Sequence, residues 1–104
     1  MQTVDTTNFE QQVLQASQPV LVEFGAVWCA PCKRMEPVLE ELSAQWDGCV
    51  HLMKVDVDLD PDLAMRFQVM SVPTMILLKG GQEQQRLVGL QSRERIIEKI
   101  SPYI

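Results

Sequence analysis

Apolar residues recur along this chain with two different periods, and the alternation between them predicts the order of elements. Phe9, Val13 and Leu14 share one helical face behind Thr6-Thr7-Asn8 and Glu10, a spacing that resembles a capping box. Gln18-Pro19 closes that helix, and Val20 to Phe24 reads as a strand apolar on both faces, as a central parallel strand is. Cys32, Met35, Val38, Leu39, Leu42 and Trp46 then recur every three or four residues, with Glu36, Glu40, Glu41 and Gln45 opposite them. That pattern is an amphipathic helix stopped by Asp47-Gly48 and kinked where Pro37 removes a backbone hydrogen bond.

A strand from about Val50 to Val57 comes next, and an acidic turn, Asp58 to Pro61, leads into a short helix carrying Leu63, Ala64 and Phe67. Met75 to Leu78 forms another apolar strand, Lys79-Gly80-Gly81-Gln82 is a hairpin turn, and a strand follows through Val88. Ser92 caps a last helix that turns Ile96, Ile97, Ile100 and Ile104 inward. Strand–helix–strand crossovers followed by a hairpin and a closing helix predict an α/β fold, with a central mixed sheet flanked by helices on both faces. In such sheets chemistry gathers at the carboxyl ends of strands, where the loop from Gly25 to Trp28 lies.

The 104 residues suit one domain, residues 1–104, with a core large enough to need no staples. A net charge of −5 and nine scattered basic residues argue against nucleic acid, which needs clustered Lys and Arg. No apolar stretch approaches the ~20 residues that cross a bilayer. Met1-Gln2-Thr3-Val4-Asp5 lacks the basic and apolar regions of a signal peptide, so a cytoplasmic, reducing location is the expectation, with a monomer as the working unit. In that compartment closely spaced cysteines point to redox or metal chemistry rather than a structural cross-link.

Trp28-Cys29-Ala30-Pro31-Cys32 carries that chemistry. It follows a strand and opens a helix, whose unpaired N–H groups and partial positive charge favour a thiolate. Pro31 is tolerated in the first turn because its missing N–H has no partner there. Two thiols at this spacing can close and reopen a small disulfide ring. A metal-bound or inert buried pair is the alternative reading of the same residues. Glu23 is the second unusual feature, since a carboxylate within an apolar strand must be paired, solvated or protonated.

With these motifs in order, the chain resembles the thioredoxin family over almost its whole length. The resemblance rests on Phe24, Trp28-Cys29-x-Pro31-Cys32-Lys33, Pro37, Lys54-Val55-Asp56, Val72-Pro73-Thr74, Lys79-x-Gly81 and Gly89. It implies a protein disulfide reductase without a cofactor or metal, acting on protein disulfide substrates and recharged by a thioredoxin-reductase-type donor. Under it, Cys29 is the attacking thiolate and Cys32 the resolving thiol, Cys29 being exposed and Cys32 shielded. Glu23 stands where the family usually has Asp and implies a proton acceptor for Cys32, with Lys54 as its ion-pair partner. The resemblance implies a cis bond before Pro73, which would present the Val72 backbone to an extended substrate and keep metal ions from the sulfurs. Trp28, Ala30, Pro31, Val72, Pro73, Gly89 and Leu90 would form an apolar rim around Cys29.

Three positions depart from the family pattern: Glu23, Ala30 in place of the usual Gly, and Gly25 where a bulky side chain is common. Cys49 and His51 could complete a zinc set with the cysteine pair, but they follow a helix of about 20 Å or more that carries them away. Cys49 therefore reads as a packed thiol at an element end and His51 as a surface strand residue. Two other functions compete with the reductase: a polypeptide-binding module of holdase type, and an exported oxidant or isomerase of the same fold.

Overall fold

β2 (Val20–Gly25) is buried along its whole length and lies at the centre of the five-stranded sheet formed in the computed structural model, which describes residues 1–104. Its neighbours are β3 (His51–Asp56), parallel, and β4 (Thr74–Lys79), antiparallel. β5 (Gln82–Val88) pairs antiparallel with β4, and β1 (Gln2–Thr3) adds a short parallel edge to β3, giving the order β1-β3-β2-β4-β5. The sequence pattern did not announce β1, because two exposed polar residues carry no strand periodicity.

The period of two divides the strands into two cores. Leu21, Leu52, Met75, Leu77 and Leu87 face α1 (Ala30–Gln45) and α3 (Arg93–Ile100), meeting Met35, Leu39, Leu42, Ile96 and Ile100. Val20, Val22, Phe24, Met53, Val55, Ile76 and Leu78 face the other way, onto Phe9, Val13 and α2 (Pro61–Arg66) with its Leu63. Phe67 closes this second core against Phe9 and Phe24, with ring centroids 5.3 and 5.9 Å away. Helices thus cover both faces of a mixed sheet. None of them is long and apolar enough to cross a membrane.

The first helical segment differs from its expected form. It is a single wide π-helical turn, Glu10–Leu14, and the reciprocal capping ahead of it lies between Asp5 and Asn8 rather than on Glu10. Asp5 Oδ1 accepts the backbone N–H of Thr7 at 2.8 Å, while Asn8 Oδ1 accepts that of Asp5 at 2.8 Å. Asp5 thus serves as the cap, accepting the N–H groups of Thr7 and Asn8 through its short side chain. At the other end, α3 does begin at Ser92, whose hydroxyl accepts the Arg95 N–H at 3.1 Å. The chain then leaves the helix through a 3₁₀ turn, Ser101–Tyr103, so Ile104 is exposed rather than inward.

α2 ends with Gln68 in the left-handed region (φ 54°), closed by Val69 N–H donating to Ala64 O at 2.8 Å. Such a Schellman-type ending is usually glycine's. Arg86 on β5 supports it, its guanidinium donating to Phe67 O and to Glu83.

Leu39 is almost wholly buried between α1 and the sheet. Leu39→Ala is expected to lower stability by about 2–5 kcal/mol through lost burial and the cavity left behind, read as a lower midpoint in urea denaturation.

Candidate redox site

β2 ends at Gly25, and the next four residues carry the chain to the start of α1. Cys29 is the N-cap of that helix and Cys32 lies on its first turn. The two are joined as a disulfide, with Cα atoms 5.2 Å apart. Cys29 Sγ accepts the backbone N–H of Cys32 at 3.2 Å, so the sulfur occupies the place of a capping oxygen. This N–H and the helix end would stabilise negative charge on Cys29 once the bond opens.

Cys29 is not exposed in this state: it is 3% accessible, against 5% for Cys32. The disulfide turns its sulfur inward toward Cys32, which adjacency to a loop does not reveal. Around the pair, Trp28 is 67% accessible and Ala30 and Leu90 are exposed, while Pro31, Val72 and Gly89 are half-buried and Pro73 is buried. The Val72–Pro73 bond is cis, and Pro73 O accepts the N–H of Gly89 at 2.8 Å, bringing that turn beside Pro73.

Further features of these loops were not anticipated. Trp28 Nε1 donates to Asp58 Oδ2 at 2.7 Å, tethering the tryptophan to the loop after β3. Val27, Leu59 and Met70 are exposed apolar residues as well, Met70 being 92% accessible. Their flanking motif residues were visible in the sequence: Val27 adjoins the Trp-Cys run and Met70 precedes Ser71-Val72-Pro73. Asp58 gave no signal beyond belonging to an acidic turn.

Glu23 is 4% accessible, and its Oε2 is buried without a hydrogen-bond partner. It pairs in register with Lys54 on β3, yet Lys54 Nζ lies 3.1 Å from Glu36 Oε1 on α1 instead. The expected Glu23–Lys54 ion pair is therefore absent, because Glu36 offers the amine a half-exposed carboxylate that needs less desolvation. Burial, then repulsion from Glu36, raises the Glu23 carboxyl to about pKa 7, and attraction from Lys54 opposes this.

Gly25 separates the acid from the sulfur. A Cβ there would stand 3.3 Å from Cys32 Sγ and 3.4 Å from Glu23 Oε1. Both atoms border one open cavity of about 400 Å³, whose walls also include Val27, Lys33, Glu36, Lys54 and Val55. No group of three or more His, Cys, Asp or Glu side chains is placed to hold a metal ion. His51 pairs with Val20, at the end of β2 remote from the cysteine loop, and it is exposed, as expected of a surface strand residue. Cys49 is an exposed free thiol in the turn before β3 rather than a packed one, since Trp46 and Val50 fill the core there.

The family model described as Thioredoxin matches residues 1–102. Among similar proteins, the thioredoxin of Mycobacterium bovis (strain ATCC BAA-935 / AF2122/97) is 41% identical over 97% of this chain and 87% of its own length. That of Staphylococcus saprophyticus subsp. saprophyticus is 41% identical over 97% of this chain and 95% of its own. A bifunctional thioredoxin reductase/thioredoxin of Mycobacterium leprae (strain TN) is 41% identical over 98% of this chain, which spans 23% of that longer protein.

The raised pKa of Glu23 makes stability depend on pH. Between about pH 4.5 and 7 the unfolded chain ionises while the folded chain holds its proton, so stability is full below 4.5 and falls as pH rises toward 7. The loss amounts to about 3 kcal/mol. Glu23→Gln is expected to remove it, making the variant the more stable protein at pH 8 and nearly equal at pH 4, as read by urea denaturation at both pH values.

Proposed function

This chain belongs to the thioredoxin family and is a thiol–disulfide oxidoreductase; on that premise we propose that it reduces protein disulfides by the following division of labour among its residues. The observation that carries the reading is the Cys29–Cys32 disulfide seated on the N-terminus of α1, with a buried carboxyl behind it.

In the dithiol form, Cys29 is the nucleophile. Its thiolate attacks one sulfur of a substrate disulfide; a new S–S bond forms, and the other substrate sulfur leaves with the electron pair. Cys32 then gives its proton to Glu23 and attacks Cys29 Sγ. The second substrate sulfur departs, and the Cys29–Cys32 bond closes. A carboxyl with pKa about 7 is matched to this task near neutrality, ionised often enough to accept and basic enough to hold the proton. Glu23 Oε1 and Cys32 Sγ both lie against Gly25 on one open cavity, which supports transfer between them through water.

Lys54 acts on Glu23 through space, by favouring its ionised form, while it stays bonded to Glu36. Trp28, Ala30, Pro31, Val72, Pro73, Gly89 and Leu90 receive the substrate as an extended segment, whose backbone pairs with Val72. The exposed apolar surface of Trp28 and Leu90 supports docking of this kind. A separate reductase returns electrons to the disulfide, a role suggested by the M. leprae relative, whose name joins the two activities. The protein works in this scheme as a monomer in a reducing cytoplasm.

Insulin reduction with dithiothreitol tests the assignment. Cys29→Ser is expected to abolish turnover, and Cys32→Ser to accumulate a mixed disulfide detectable by mass spectrometry. Full activity in Cys29→Ser would sink the reading, and client holding that survives this change would favour a binding module. Glu23→Gln is expected to slow the resolving step about 10- to 100-fold at pH 7, and to flatten the rise in exchange rate across that pH in stopped-flow measurements.

A further inference from the structure

The cavity behind the disulfide reaches Cys32 and leaves Cys29 outside its walls. Gly25, inside β2, lines it without a side chain: a Cβ there would crowd Cys32 Sγ at 3.3 Å and touch Glu23 Oε1 at 3.4 Å. At about 400 Å³ it has the size of a small-molecule site and excludes a polypeptide segment with its neighbours. Ala26, Val27, Val55 and Leu59 give it apolar walls.

Its charges leave one buried group unmatched, and Lys33, exposed, is unpaired as well. Glu36 and Lys33 enter from α1, Lys54 and Asp56 from β3. Glu36 holds Lys54, and Asp56 Oδ1 accepts the backbone N–H groups of Asp58 and Leu59. Glu23 has no partner although it is more than nine-tenths buried. A guest carrying an ammonium group would supply the donor that buried Glu23 lacks, while an anionic guest would meet three carboxylates and find only the exposed Lys33 unpaired.

We propose that this cavity admits low-molecular-weight aminothiols and their disulfides to the redox centre, the ammonium group held by Glu23 and the sulfur delivered to Cys32. The inference rests on the reading of Cys29 and Cys32 as an exchanging pair. The aminothiol loses its proton to water and its thiolate attacks Cys32 Sγ. A bond forms between them, the Cys29–Cys32 bond breaks, and Cys29 leaves as the thiolate. A second aminothiolate attacks the guest's sulfur in that mixed disulfide, releasing the small disulfide and leaving Cys32 to take a proton from water. Two thiols are oxidised to one disulfide as the protein disulfide becomes a dithiol. Protein substrates thus meet Cys29 at the front rim, and small cationic thiols meet Cys32 from behind.

The test uses the full chain carrying Cys29→Ser and Cys49→Ser, so that Cys32 is its one thiol. Mixed-disulfide formation is followed by mass spectrometry with cystamine, with neutral bis(2-hydroxyethyl) disulfide and with anionic 3,3′-dithiodipropionate. Cystamine is expected to react about tenfold faster than the neutral probe, the worth of one charge-assisted contact, and the anion slowest. Glu23→Gln should abolish this preference, and Gly25→Phe should slow all three. Equal rates for the three probes, or an unchanged rate in Gly25→Phe, would overturn the proposal. Should Gly25→Phe fail to fold by circular dichroism, Gly25→Ala replaces it, and a rate no slower than the parent's is equally fatal. Insulin reduction by the unaltered protein is measured alongside. Its absence would remove the reductase reading, whereas the probe ranking at Cys32 reports on the cavity alone.

Discussion

The seating of the α1 N-terminus against the end of β2 is the constraint from which the chemistry follows. Leu39 and Leu42 bury that helix on the sheet, with Met35 nearer its start, so the first turn has a defined position over Gly25. A helix start carries unpaired N–H groups whatever its sequence. Here one of them, on Cys32, points at the sulfur of Cys29. Apolar packing thereby sets the polarity of the site: it fixes where a partial positive charge meets a sulfur, and nothing else in the loop has to be charged.

The same burial determines the cost of Glu23. Its carboxyl lies on the α1 side of the central strand, between Lys54 and Met75 in register, where an ion is poorly solvated. Ordinary strand chemistry would replace it with Val or Leu. Retaining it reduces stability above neutral pH, and the raised pKa suits the proton-accepting role proposed for it. Glu36 and Lys54 adjust the balance without satisfying Glu23 directly.

Several local readings failed for a shared reason. The pattern Thr6-Thr7-Asn8…Glu10 resembles a capping box, yet Asp5 supplies the acceptor, its short polar side chain taking the N–H groups of Thr7 and Asn8. Lys54 was assigned to Glu23 through the family resemblance, and the strands do place the two in register, but its long side chain takes the more accessible Glu36. Cys29 was expected at the surface, where the strand's loop meets the helix, and in the disulfide state it is buried beside Cys32. Cys49, expected to pack, is displaced outward because Trp46 and Val50 fill that end of the core. Each case involves competition between partners, and one-dimensional spacing does not rank competitors.

Periodicity alone determined the α/β order, the two-sided apolar strand Val20–Phe24 and the long helix behind the cysteines, because periods of two and 3.6 follow from backbone geometry. The spacing of Cys29 and Cys32 at a strand-to-helix junction likewise defined the reacting atoms, since chain connectivity holds them together. Tertiary structure decided which partner each charge takes, that Cys29 is buried, and that Glu23, Gly25 and Cys32 line one cavity. Those outcomes depend on side chains brought together from α1, β2 and β3, whose relative depth and separation are properties of packing and of no single segment.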